Sequence, residues 1–456
     1  MAFNRVLLVF PDHAQSNPEY PPLGLGYLSE ALQAREIEHG IVDMRLGCDL
    51  RGLKSRILEF QPDLIGMSMR TLLFRQSYEL LEELKRALPD VTTVAGGPHI
   101  STFREQVLRQ CSAIDYAITL EGEVGLLELC DGLAPRGIRG LIYRENGAIA
   151  YTGDRGFIAE LDSVPFPRYR KFPLDKYATD EIAILTSRGC PYECIFCAAK
   201  TVNGRRFKPR SAHHVADEIQ YWYETGRRRF AIIDDNFTLK KERVLQLCQE
   251  IEDRNLKDLE LRCPNGVRAD RVDEELLTRM KSVGFGYLAF GVESGSDRIL
   301  KRVKKGEKID VIKRSIKLAC DLGYDVALFF IVGFPGETLR DIEESVSLAL
   351  SYPIVDAKFF NLLPLPGTEL FRWVSEKNCF TTPPDEYLND PSHWQNDARW
   401  DPKPVFATPE LPFNQRVKAL AYVAEAQREI RNKAERRRLR SPAIDGQTAA
   451  GIKRVA

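Results

Sequence analysis

The chain has 456 residues, 44% of them hydrophobic and 29% charged, and it balances 65 lysines and arginines against 65 aspartates and glutamates. That composition describes a folded globular protein too long for one ordinary core and long enough for two or three domains. Zero net charge gives no global field for nucleic acid, no run reaches the ~18 apolar residues of a membrane span, and ten cysteines without secretory spacing or a signal pattern point to a reducing cytoplasm.

The first expected element is a buried strand over 5–10, a continuous apolar run ended by Pro11. A helix follows over 23–34, where apolar residues recur at helical spacing. The alternation then repeats as strand 40–43, helix 50–60, strand 64–68, helix 78–88, strand 91–95, helix 103–110 and strand 116–120. Such alternation predicts a parallel sheet covered on both faces, with ligands at the carboxyl ends of its strands. Those ends carry Pro21-Pro22-Leu23-Gly24, Ser68-Met69-Arg70, Gly96-Gly97-Pro98-His99 and Glu121-Gly122-Glu123. Glycine pairs after strands also serve plain tight turns, so the loops alone leave both readings open.

Residues 137–153 carry a hairpin signal, with Glu145-Asn146-Gly147 between two short apolar runs. The proline-rich stretch 161–168 reads as an extended linker, because each proline biases its predecessor away from helix. The expected division is a first domain over 1–135, hairpin and linker over 136–175, a second domain over 176–375 and a C-terminal extension over 376–456.

The second domain opens on Cys190-Pro191-Tyr192-Glu193-Cys194-Ile195-Phe196-Cys197, three cysteines on one loop after the apolar run 182–187. Three soft thiolates suit an iron–sulfur cluster, and a triplet leaves one iron of a four-iron cluster without a protein ligand. A zinc knuckle is the alternative. It needs a fourth ligand, and the nearby His213 and His214 open an expected helix. Strands at 230–233, 259–262, 287–290, 326–332 and 357–363 follow, each ending on a polar or glycine-rich loop. With the strand before the cysteines they form six parallel units with functional loops at one end, a partial (β/α) barrel. Cys263 stands out as a thiol at an expected functional strand end. Residues 380–400 are expected to cap the barrel mouth, and 425–440, with Arg431, Lys433, Arg436, Arg437, Arg438 and Arg440, reads as a solvated basic helix with a frayed tail.

The triplet, with Phe196 directly before its third cysteine, resembles the radical S-adenosylmethionine (SAM) superfamily. The first-domain loops ahead of it look like the cobalamin-binding domain of cobalamin-dependent radical SAM enzymes. The resemblance covers about residues 5–370. It implies an α/β protein with an N-terminal Rossmann-like cobalamin-binding domain, a partial (β/α)6 radical SAM barrel and a small C-terminal extension. It also implies three cofactors: a [4Fe-4S] cluster on Cys190, Cys194 and Cys197, SAM on the open iron, and cobalamin. Ser68, Gly96 and Gly97 match the groove for the nucleotide tail of cobalamin, with Glu121 in the neighbouring loop and Arg70 where the groove passes under the corrin. Asp234, Asp235 and Asn236 match the place where backbone carbonyls hold the SAM amino group. Glu293 and Ser294 match the ribose and methionine contacts, Phe196 belongs to the cluster loop, and Ile331, Gly333 and Leu363 match positions beside adenine.

Two departures from the family pattern stand out. Phe329 replaces the first glycine of the fifth-strand Gly-x-Ile-x-Gly-x-x-Glu pattern, and Glu337 falls one residue late. The Asp-x-His-x-x-Gly cobalt-ligand motif of other cobalamin proteins is missing, so His13 is expected to be an ordinary loop residue. The resemblance implies a methyltransferase acting on an unactivated centre of a small-molecule or lipid-like substrate, supplied with electrons by a reductant such as flavodoxin or ferredoxin. It leaves open a cyclase or rearrangement enzyme with the same cofactors, and a cobalamin-free radical SAM enzyme whose first domain is only a binding module. No substrate acid or base is singled out.

Overall fold

The computed structural model describes residues 2–11, 18–394 and 403–440, so His13 and the tail after 440 lie outside the described residues. Five strands of the first sheet run parallel: β1 (Arg5–Phe10), β2 (Glu38–Asp43), β3 (Leu64–Ser68), β4 (Thr92–Gly96) and β5 (Tyr116–Ile118). Alternate residues of β1 enter different cores: Val6, Leu8 and Phe10 pack in one apolar cluster, Leu7 and Val9 in another. That is why the strand is apolar throughout; both of its faces are covered. Its neighbours are β2 on one side and β3 on the other, which makes a switch point whose crevice opens at the carboxyl ends of β1 and β3.

The hairpin expected between the domains extends this same sheet. Strand β6 (Leu141–Glu145) pairs antiparallel with β5, and β7 (Ala148–Tyr151) pairs with β6. Asn146 and Gly147 both take positive φ, 49° and 79°, the two-residue turn that suits the twist of a hairpin. Helix 103–110 is also expected as one element, but Arg104 at φ 49° divides Pro98–Phe103 from Glu105–Gln110.

The second unit starts with β8 (Ile182–Ile184) and a short antiparallel pair, β9 (Ser187–Arg188) and β10 (Lys208–Pro209). Strands β11 (Arg229–Ile232), β12 (Glu260–Val267), β13 (Phe285–Glu293), β14 (Asp325–Val332) and β15 (Asp356–Asn361) complete it. The order β15-β14-β13-β12-β11-β8, all parallel, is the open partial barrel. Strand β12 runs past its expected end through a register shift between Cys263 and Val267. Cys263 is therefore a mid-strand core residue rather than a thiol at a functional loop, and burial pushes it well above the usual thiol range.

The C-terminal helix, Phe413–Arg440, begins earlier than expected and is not simply solvated. Arg416, Ala419, Leu420, Val423, Ala426 and Ile430 form its buried stripe against the barrel. Of its basic run, Arg431 bonds Asp356 and Arg438 bonds Asp325, both on barrel strands. No helix among the described residues is long and apolar enough to cross a membrane.

Candidate functional site

The cysteine loop takes off from a fixed support. Asp234, just after β11, accepts hydrogen bonds from Thr186 N and Oγ1, each at 2.6 Å, and from Ser187 Oγ at 2.5 Å. Arg243 reaches Thr186 O at 3.2 Å and stands 3.7 Å from the same carboxylate. Gly189 then turns the chain at φ 85°, where a side chain would lie 2.4 Å from Arg206 O. The back of the loop is held by Ile195 N donating to Val303 O at 3.1 Å and Ile195 O accepting from Leu370 N at 2.9 Å. Cys190, Cys194 and Cys197 are free and half-buried, and burial raises all three thiols, Cys194 to about 11.

His213 and His214 do not join the cysteines. His213 lies 3.3 Å from Glu250 and His214 3.2 Å from Asp162. Among the described residues no group of three or more His, Cys, Asp or Glu is drawn around a single ion.

On the opposite wall, Glu293 ends β13 in the left-handed region at φ 68° and accepts from Lys305 Nζ at 3.0 Å. Lys305 is buried, which opposes its charge, but Glu293 and Glu307 outweigh that and hold it above the usual lysine range. Arg268 donates to Lys305 O at 2.7 Å and stacks 3.5 Å from the ring centre of Tyr192, which belongs to the cysteine loop. One network therefore joins β13 to that loop. Asn236 is buried; its side-chain amide lies against the Cys190 thiol, and its amide oxygen has no hydrogen-bond partner. Asp235 accepts from Asn203 at 2.8 Å and Gly189 N at 3.3 Å, and Ser294 Oγ accepts from Ser296 N at 3.3 Å. An unpartnered buried amide oxygen beside a triplet of free thiols is a set of acceptors and soft ligands that fits a polar ligand there.

At the ends of β14 and β15 the C-terminal helix contributes a residue that the sequence reading missed. Arg416 donates to Leu362 O and Asn361 Oδ1 at 3.0 Å, to Val332 O at 3.3 Å and to Phe406 O at 3.0 Å. A side chain on Gly333, φ 106°, would lie 2.2 Å from its guanidinium carbon. Glu337 accepts from Gly333 N at 2.5 Å and Phe334 N at 3.1 Å, and its burial pushes it up to about 8. The signal for Arg416 is its place at the head of the helix's apolar stripe. Phe196, Ile331 and Leu363 pack against one apolar cluster that includes Phe334 and Leu362.

A cleft of about 270 Å³ opens at the carboxyl ends of β3 and β4 and is lined by Ser68, Gly96, Gly97 and Glu121 from the first unit and Leu185, Arg188 and Asn203 from the second. Gly97, at φ 98°, has no room for a side chain, which would meet Met69 O at 2.7 Å. The Glu121 carboxylate lines the cleft but is already engaged by Arg188 at 2.9 Å, Lys208 at 3.0 Å and Ile158 N at 2.5 Å. Arg188 also donates to Glu123 at 2.7 Å and lies 4.9 Å from the Tyr27 ring centre. Arg70 is outside this lining, 5.8 Å from the Phe10 ring centre, with Nε and one terminal nitrogen buried and unpartnered.

Residues 184–349 match the family model of the Radical SAM superfamily, and residues 13–130 match that of the B12 binding domain. The chain is 31% identical over 399 residues to an uncharacterized methyltransferase, PH0819, of Pyrococcus horikoshii, across 84% of this chain and 85% of that one. The chain belongs to the cobalamin-dependent radical SAM family. It is a radical SAM enzyme. This cobalamin-dependent radical SAM chain is also 27% identical over 440 residues to the cytidylyl-2-hydroxyethylphosphonate methyltransferase of Streptomyces wedmorensis, across 81% of each. The radical SAM methyltransferase TsrM of Kitasatospora setae, solved with tryptophan substrate and a SAM analogue, superimposes with a TM-score of 0.77 at 21% identity over 93% of this chain and 89% of that one. At that identity the likeness to TsrM concerns the fold.

Proposed function

We propose that the chain is a cobalamin-dependent radical SAM methyltransferase that delivers a methyl group to an unactivated carbon or phosphorus centre of a small molecule. The observation that carries this reading is Arg188. It stands two residues before Cys190, lines the first-unit cleft, and bonds Glu121 and Glu123 across the boundary, so a buried ion cluster joins the cleft to the strand that leads into the cysteine loop. The methyltransferase names of two relatives agree with it.

In this reading Cys190, Cys194 and Cys197 hold a [4Fe-4S] cluster, and Ser68, Gly96 and Gly97 receive the nucleotide tail of cobalamin. SAM is received by the backbone of Asp234, Asp235 and Asn236, by Glu293 and Ser294, and beside Ile331, Gly333 and Leu363. When bound, the cluster and SAM supply a carbon radical fed by a one-electron donor such as flavodoxin or ferredoxin, and cobalamin supplies the methyl carrier. Lys305 orients the Glu293 carboxylate by taking one of its oxygens. Asp234 keeps the cysteine loop at a fixed height over β11, since its oxygens are committed to Thr186 and Ser187. Arg70 belongs to the cobalamin side, and a protonated guanidinium offers cobalt no lone pair.

Anaerobic purification with iron, sulfide and hydroxocobalamin, followed by metal and cofactor analysis, tests the assignment. About four irons and about one cobalamin per chain are expected. Iron without cobalamin would support the binding-module reading of the first domain instead.

A further inference from the structure

The inner face of the barrel carries a patch that the cofactor assignments do not use. Register places Phe329 beside Lys358 and Ile331 beside Phe360 across β14 and β15. Alternate residues of these strands behave differently: Phe330 and Phe359 are buried and stack at 4.7 Å, whereas Phe329 and Lys358 are half-buried and Phe360 keeps 36% of its surface exposed. Gly291 is the register partner of Phe329, and a side chain there would meet the Glu293 carboxylate at 2.9 Å. Phe329 therefore looks onto the same lumen as Glu293.

Phe329 and Phe360 meet edge to face at 5.8 Å, and the Lys358 ammonium lies 5.7 Å from the Phe329 ring centre. Other cations of the barrel are paired: Arg262 with Glu181 at 3.3 Å, Lys305 with Glu293 at 3.0 Å. Among the described residues Lys358 has no carboxylate within ion-pair distance. Gly266 and Gly291 place no side chain against Phe329, so the wall beside it stays flat. A large exposed aromatic on a barrel strand and a half-buried ammonium without a counter-ion among the described residues are both better accommodated when a ligand covers them.

We propose that the substrate is a small anion with a flat, unsaturated or aromatic body, the body against Phe329 and Phe360 and its carboxylate or phosphoryl group on Lys358. This deepens the methyltransferase reading and rests on it. The probes are 2-naphthoate, 2-naphthyl phosphate and the neutral 2-naphthalenemethanol, titrated by ligand-observed NMR against the reconstituted holoenzyme. At least one anion should bind about tenfold tighter than the alcohol, and which one does so identifies the anionic group. Lys358→Met should bring the probes within about twofold of one another, Lys358→Arg should keep the preference, and Phe360→Ala should weaken all three by about fivefold. Lys313→Met, on an exposed helical face, should change nothing. Equal binding of anions and alcohol by the wild type, or an anion preference that survives in Lys358→Met, overturns the proposal. Iron and cobalamin are assayed on every preparation: loaded protein without discrimination sinks this inference alone, whereas protein that loads neither cofactor sinks the methyltransferase reading and this inference with it.

Discussion

Asp234 and Asp235 are adjacent yet differently employed, since the first spends its carboxylate on Thr186 and Ser187 and the second faces Asn203 and Gly189. Sequence reading identifies both as strand-end carboxylates but cannot divide these tasks, which depend on where β8 ends relative to β11. The cysteines are plainer, because three thiols on one loop carry their own signature. Replacing Cys190, Cys194 and Cys197 together by alanine should abolish iron–sulfur absorption, while Cys248→Ala, a change on the buried face of the helix Lys241–Asp253, should leave it intact. Full iron content in the triple variant would contradict the ligand assignment. Gly97→Ala should lower stability by about 1–2 kcal/mol and reduce cobalamin retention, because its φ of 98° and the Met69 carbonyl at 2.7 Å both oppose a side chain. Denaturant titration and cobalamin absorbance read the two effects separately.

At the scale of elements, the alternation of strand and helix is legible because buried strands are apolar throughout and the helices repeat at their own period, as β3 and the helix Leu23–Ala34 show. Attachment is not. Nothing in 141–151 says that the hairpin joins β5, and nothing near Val332 announces the arginine 84 residues later that binds its carbonyl. Such contacts are set by tertiary packing, which local pattern does not encode. The Arg416 junction has a pH signature through Glu337. Its folded value of about 8 lies above the usual 4.5, so between those values the folded chain binds the proton more tightly than the unfolded chain does. Stability should therefore be fully present below about pH 4.5 from this group and fall as pH rises through 8, by up to a few kcal/mol. Glu337→Gln should flatten that fall in denaturant titrations across pH 5–8. An unchanged slope would show that Glu337 is ionised throughout.

For the whole molecule, the two units are held by buried or half-buried ions: Arg188 and Lys208 on Glu121, and Arg188 on Glu123. Burial raises the cost of leaving any one of these unpaired. Arg188→Met should strand Glu123 and lower stability by about 3 kcal/mol. It should also reduce cobalamin retention while the iron content per folded chain holds, because the cleft loses a wall and the cysteines do not move off their support. Loss of iron and cobalamin in equal measure would mean that Arg188 serves folding alone. The central claim is that both cofactor sites work on one methyl transfer. The most direct measurement is the stoichiometry of by-products from reconstituted enzyme given SAM, a reductant and a substrate that it turns over. The account predicts S-adenosylhomocysteine and 5′-deoxyadenosine in equal amounts, one of each per methylated product, and 5′-deoxyadenosine without stoichiometric S-adenosylhomocysteine would contradict it.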